Sequence, residues 1–106
     1  MEKIESTGGP YLQGYVRASY KQLLKAFGEP HGNDGYKTDF EWSFRFADWT
    51  VANIYNWKNG PNYCGSEGLA PENIHEWHVG GFNQKAVARV IDAINGHENS
   101  LSVDPE

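Results

Sequence analysis

The stretch Lys37–Phe46, KTDFEWSFRF, followed directly by ADWT (47–50) and VANIYNW (51–57), decides the fold. Within it Phe40, Trp42, Phe44 and Phe46 alternate with Asp39, Glu41, Ser43 and Arg45. Side chains on a strand point to opposite faces in turn, so this spacing sends four aromatic rings to a core and leaves a polar row facing outward. It predicts a strand from Lys37 to Phe46. Ala47 to Thr50 then supply a brief turn, and the β-rich run Val51 to Trp57 closes an antiparallel hairpin. Asp48 suits a turn, whereas Trp49 stands where Gly or Asn is usual and leaves an indole at an exposed tip.

Upstream of the hairpin, Ser19 and Gln22 have the spacing of a capping box, which starts a helix by satisfying two backbone amides. Tyr20, Leu23, Leu24 and Phe27 form its apolar stripe, Lys21 and Lys25 lie on the other side, Gly28 caps the end and Pro30 forbids continuation. A helix this short draws its stability from docking the stripe onto a sheet. Tyr11 to Arg17 is expected as a short strand, with the first ten residues a loose lead-in.

Downstream, Lys58 to Asn73 is rich in Gly, Pro, Asn and Ser without a convincing period, and it is expected as a long loop of the kind that is commonly functional or mobile. Ile74 to Val79 is expected as a further strand ended by Gly80 and Gly81. Asn83 caps a second helix from Gln84 to about Asn95, with Phe82 placed to staple onto Val87. Its stripe is Val87, Val90, Ile91 and Ile94, and Gly96 stops it. The order predicts an α+β domain over 1–96: a small antiparallel sheet of three to four strands with two helices packed on one face. His97 to Glu106 is expected as a polar, disordered tail.

The chain has 106 residues, a size for one domain, and 14 acidic against 9 basic residues give it a net charge of −5. That field repels phosphate backbones and disfavours direct nucleic-acid binding. No stretch is apolar enough to span a membrane, and the start MEKIESTGG lacks the apolar centre of a secretory signal. The single cysteine, Cys64, fits a reducing compartment, so a cytoplasmic location is expected.

Candidate chemistry is sparse. In His75-Glu76-Trp77-His78 the imidazoles are three apart, so on a strand they face opposite ways and cannot share a metal without a bulge; polar strand-edge histidines are the simpler assignment. Cys64 is a nucleophile only if His75 or His78 folds back onto it, and otherwise a small packed hydrophobe. The loop from Gly60 to Gly68 carries no phosphate-binding glycine pattern. No catalytic residue, metal or cofactor is therefore assigned. Asp39 and Glu41 share one strand face, a spacing open to acid and base work but equally that of any solvated strand. With Asp34 and Asp48 they make the hairpin locally negative, a surface able to meet a basic partner groove. Trp49, Tyr55, Trp57 and Tyr63 form either a second core layer or a recognition patch, and Arg17, Lys21 and Lys25 read as a solvated helix face.

The stretch GYKTDFEWSFRFADWTVANIYNWKNGPNY, followed by IHEWHVGG and a closing helix, resembles a family of small proteins encoded by tailed bacteriophages and prophages. The resemblance runs from about Tyr20 to Ile94 through the helix ending in FGEP, the strand TVANIYNWK and the WHVGG element. It implies a Gly at the hairpin position that Trp49 occupies. It also implies origin rather than mechanism. By analogy of class, small acidic phage proteins without catalytic motifs are expected as inhibitors of host defence, of the anti-CRISPR kind, acting in the bacterial cytoplasm. The expected partner is a host defence protein or nucleoprotein complex, met through a basic surface, with Asp39, Glu41, Asp48, Trp49 and Tyr63 as contacts. Two alternatives stay open: a sponge that holds a small signalling nucleotide between rings, and a structural or accessory phage protein. An open sheet edge with exposed aromatics also leaves a homodimer open.

Overall fold

The computed structural model describes residues 1–5, 8–33, 35 and 37–96. Five strands, β1 (Glu2–Lys3), β2 (Tyr11–Arg17), β3 (Glu41–Arg45), β4 (Val51–Tyr55) and β5 (Glu76–Gly81), form one antiparallel sheet in the order β1-β3-β4-β5-β2. Helices α1 (Tyr20–Phe27), α2 (Pro61–Cys64) and α3 (Lys85–Ile94) complete the α+β fold, with α2 a single turn inside the long loop. The expected three to four strands are thus five. The missed one is β1, two charged residues too short to show a period, which lie in the segment expected as a loose lead-in and pair Glu2 with Arg45. The third helix was hidden for a similar reason, since Gly60, Pro61 and Gly65 read as loop punctuation although Pro suits a first helical position.

Strand limits shift as well. The run expected from Lys37 begins only at Glu41 and ends at Arg45, β4 stops at Tyr55, and β5 runs from Glu76 to Gly81 rather than from Ile74 to Val79. Asn56 explains the late start of β3. Its Oδ1 accepts from the amides of both Asp39 and Phe40, at 2.7 and 3.0 Å, so the backbone there is bonded to a side chain rather than to a partner strand. Its Nδ2 donates to Asp39 Oδ1 and Asn59 Oδ1, and the residue is wholly buried.

One face of the sheet carries the core. Val16, Trp42, Phe44, Phe46, Ala52, Ile54, Trp77 and Val79 pack there with Leu23 and Phe27 of α1 and Ala86, Val90 and Ala93 of α3. The capping box forms as its spacing dictates, with Ser19 Oγ accepting from the Gln22 amide at 3.0 Å and Gln22 returning the bond. The two buried indoles then pin both ends of α1 to the sheet. Trp77 Nε1 donates to the Ala18 carbonyl at 3.0 Å and Trp42 Nε1 to the Gly28 carbonyl at 2.8 Å, while their rings meet edge-on at 5.6 Å. Close approach of α3 rests on Gly81, where a β-carbon would stand 2.5 Å from that of Ala86. Asn83 Oδ1 accepts from the Lys85 amide, which holds the entry to α3.

Candidate binding face

Among the described residues no helix lies over the other face of the sheet. Alternation puts Tyr15 and Arg17 of β2, Glu76 and His78 of β5, Asn53 and Tyr55 of β4 and Glu41, Ser43 and Arg45 of β3 on this side. Neighbouring strands bring the rings into a row. Tyr15 and His78 are register partners with centroids 4.9 Å apart, His78 lies 5.4 Å from Tyr55, and Tyr55 lies 6.1 Å from Trp57, just beyond the end of β4. Tyr15 is 50% and Trp57 39% exposed, so the row meets solvent at both ends, with Tyr55 and His78 half-buried between them. Ammonium groups of Lys37 and Lys58 stand 5.4 and 5.9 Å from the Trp57 ring centre, and Lys58 is also 5.5 Å from Tyr63.

Polar groups fill the middle of the face. Asn53 Nδ2 donates to Glu41 Oε2 at 3.1 Å, and its Oδ1 fills the space a β-carbon on Gly80 would need, 2.3 Å away. That oxygen and His78 Nδ1 are buried without a hydrogen-bond partner among the described residues, which costs free energy. Burial pushes the His78 imidazole below its ordinary pKa against the opposing pull of Glu76. Burial, then the charge of Glu41, pushes the Tyr55 phenol up.

The five residues singled out from the sequence are not brought together. Glu41 lies on the uncovered face beside Tyr55. Asp39 precedes β3 and serves as a staple for the long loop, with Oδ2 accepting from the Asn62 amide at 2.9 Å and Oδ1 from Asn56. Asp48 sits in the hairpin turn, where it accepts from the Thr50 amide and is bridged by Arg89 of α3 at 2.8 Å. Burial raises its carboxyl, but the bonds from Arg89 and Thr50 outweigh this and bring the pKa down to about 2. Tyr63 lies on α2 and is 41% exposed. Asp34 and the tail 97–106 lie outside the described residues.

Trp49 occupies the tip of the hairpin and is 74% exposed, with φ of 71°. The bonds Trp49 N to Phe46 O and Phe46 N to Thr50 O make a type I-like turn followed by a left-handed residue, a position that favours glycine. Its ring lies 4.6 Å from the Arg45 guanidinium, which carries the aromatic surface toward the far corner of the uncovered face.

Residues missed from the sequence are Tyr15 and His78. From the sequence alone Tyr15 has no strand partner, and His78 reads as a strand-edge histidine, a metal ligand or a base for Cys64; the sheet order instead puts β5 between β4 and β2, so His78 stands on an interior strand. Among the described residues no group of three His, Cys, Asp or Glu side chains is placed to hold a metal ion. His75 precedes β5 and its carbonyl accepts from the Ala18 amide, whereas the His78 ring lies in the aromatic row. Cys64 is exposed and its Sγ donates to the Lys58 carbonyl. No helix among the described residues is long and apolar enough to cross a membrane. Comparison with protein-family models, with curated proteins and with solved structures returns no match.

Proposed function

We propose that this chain is a non-enzymatic binding protein of the kind phages use to block a bacterial defence system, and that it docks on a host protein through the uncovered sheet face. The observation that carries this is the row Tyr15, His78, Tyr55 and Trp57 on a face without a helical cover. Rings of this type supply large contact area at low entropic cost and dominate binding energy where they cluster. The charge of −5 steers the encounter toward a basic partner surface, and Glu41 stands beside Tyr55 to meet it. Trp49 extends the same contact at its corner. The acidic contribution is narrower than a strand-long row, because Asp39 and Asp48 are bonded within the fold away from this face and Glu41 itself accepts a bond from Asn53.

The test is the double variant Tyr55→Ser with Trp57→Ser. Once a host partner is identified by native mass spectrometry of the captured complex, the variant should bind it at least about thirtyfold more weakly, the scale of a hot-spot loss, with an unchanged circular dichroism spectrum. Equal affinity in the folded variant overturns the assignment of this face.

A second proposal is favoured by the two lysines over Trp57. A small anionic nucleotide would set its base beside the rings and its phosphate against Lys37 and Lys58. Release of a nucleotide on denaturing the purified protein decides for it.

A further inference from the structure

The two edges of the sheet are built differently. Strand β1 closes one side with two charged residues, and the Glu2 carboxylate is held by Arg45, the short and charged form in which edges are usually protected. Strand β2 closes the other side with seven residues and one charge, Arg17, already paired loosely with Glu76 at 3.9 Å. Beside it runs a cleft of about 230 Å³ lined by Tyr15, Val16, Arg17, Ile91, Ile94 and Asn95, with Ile91 40% exposed on α3. A long, nearly uncharged edge next to exposed apolar side chains is a template for strand addition.

We infer that β2 is a pairing edge for a second copy of this chain, antiparallel about a two-fold axis at Val16. The register follows from the hydrogen bonding. Ala18 N donates to the His75 carbonyl at 3.0 Å across the β2–β5 pair, and an antiparallel strand turns its residues alternately toward and away from its neighbour. Ala18 and Val16 therefore turn their backbone groups toward β5, while those of Tyr15 and Arg17 point out of the sheet. With the axis at Val16, Tyr15 of each copy faces Arg17 of the other, and these two residues exchange N–H to carbonyl bonds, four in all.

The same register satisfies the side chains. Tyr15 and Arg17 share the uncovered face, so each guanidinium meets a phenol ring of the other copy. Val16 meets Val16 on the core side, and the two clefts come together so that Ile91 and Ile94 of both copies cover each other. No like charges are opposed on the strands despite the net charge. This self-complementarity selects a second copy over a foreign strand. Pairing also joins the two uncovered faces into one, with the rings of both copies on the same side. The inference does not depend on what that face binds.

Sedimentation or light scattering of the pure protein from micromolar to millimolar concentration reads the outcome. The expected species is a dimer of the 11.9 kDa chain. Ile91→Lys introduces a charge at an exposed position, and Tyr15→Pro removes one outward amide at an edge that tolerates proline. Each should raise the dissociation constant at least about tenfold while the fold, read by circular dichroism, is kept. Ile91→Lys keeps the test intact if the proline variant unfolds. Hydrogen exchange should slow at the Tyr15 and Arg17 amides as the dimer forms. A wild-type monomer throughout the range, a dimer indifferent to Ile91→Lys, or a dimer without protection at those two amides overturns the proposal.

Discussion

The two faces of this sheet carry aromatic residues in similar number and use them for opposite ends. On the covered face Trp42 and Trp77 are wholly buried, and each indole N–H ends on a backbone carbonyl beside α1. Their area and their hydrogen bonds both serve the fold. On the uncovered face Tyr15, Tyr55, Trp57 and His78 touch one another but remain partly in water, and Asn53 Oδ1 and His78 Nδ1 lack partners among the described residues. The difference teaches that ring count alone says little. Rings tied to backbone at both ends of a helix are structural, and rings tied only to other rings are available.

The sharpest way to break this contrast is to remove one ring from each side. Trp77→Ala deletes a buried indole and orphans the Ala18 carbonyl, at an expected cost of about 3–5 kcal/mol. That is a large part of the total stability of an ordinary domain. Tyr55→Ala on the uncovered face should cost no more than about 1 kcal/mol. Urea denaturation of both variants checks the pair. Equal losses would mean that the row of rings is a second core after all, and the binding role of that face would fall with it.

Much of the covered face is legible in the sequence because its period is regular. The alternation from Phe40 to Phe46 and the capping box at Ser19 and Gln22 each state one local rule, and α1 obeys its rule to the residue. The hairpin was legible too, but its strand ends were not. Asn56 withdraws Asp39 and Phe40 from the ladder through contacts that span 16 and 17 positions, and nothing local announces them. The uncovered face was harder still. Tyr15 and His78 lie 63 positions apart and become neighbours only through the β2–β5 pairing, which the sequence does not specify. Asp39 and Asp48 read as available because their partners, Asn62 and Arg89, are also remote, 23 and 41 positions away. Long-range pairing decides which polar groups are left over, and a site is made from what is left over.

Trp49 refines the comparison from the edge of the uncovered face. A residue with a β-carbon at φ of 71° pays roughly 1 kcal/mol against glycine, and stacking on Arg45 at an exposed site returns about half of that. Trp49→Gly should therefore stabilise the fold by about 0.5 kcal/mol, seen as a small rise in the midpoint of thermal unfolding. The same change should weaken docking if the tip belongs to the contact surface. A variant that is more stable and binds as well as wild type would confine the recognition surface to the row from Tyr15 to Trp57.

The smallest expected effect is the pH response of His78. Burial holds its pKa below the ordinary value of 6.5, against a weaker upward pull from Glu76, so the folded protein takes up its proton at lower pH than the unfolded chain does. Unfolding then binds a proton in the interval between the two values, and stability rises with pH there. The contribution is fully present above the unfolded pKa and is lost as pH falls through the lowered folded one. Denaturation midpoints measured from pH 7 downward should thus decline in the wild type and decline less in His78→Phe, which keeps a ring against Tyr15 and Tyr55 without a titrating group. An identical slope in the two proteins would place His78 in water, with its proton free to come and go. The row of rings would then be looser than its centroid spacings imply, and the uncovered face would have to order itself on binding.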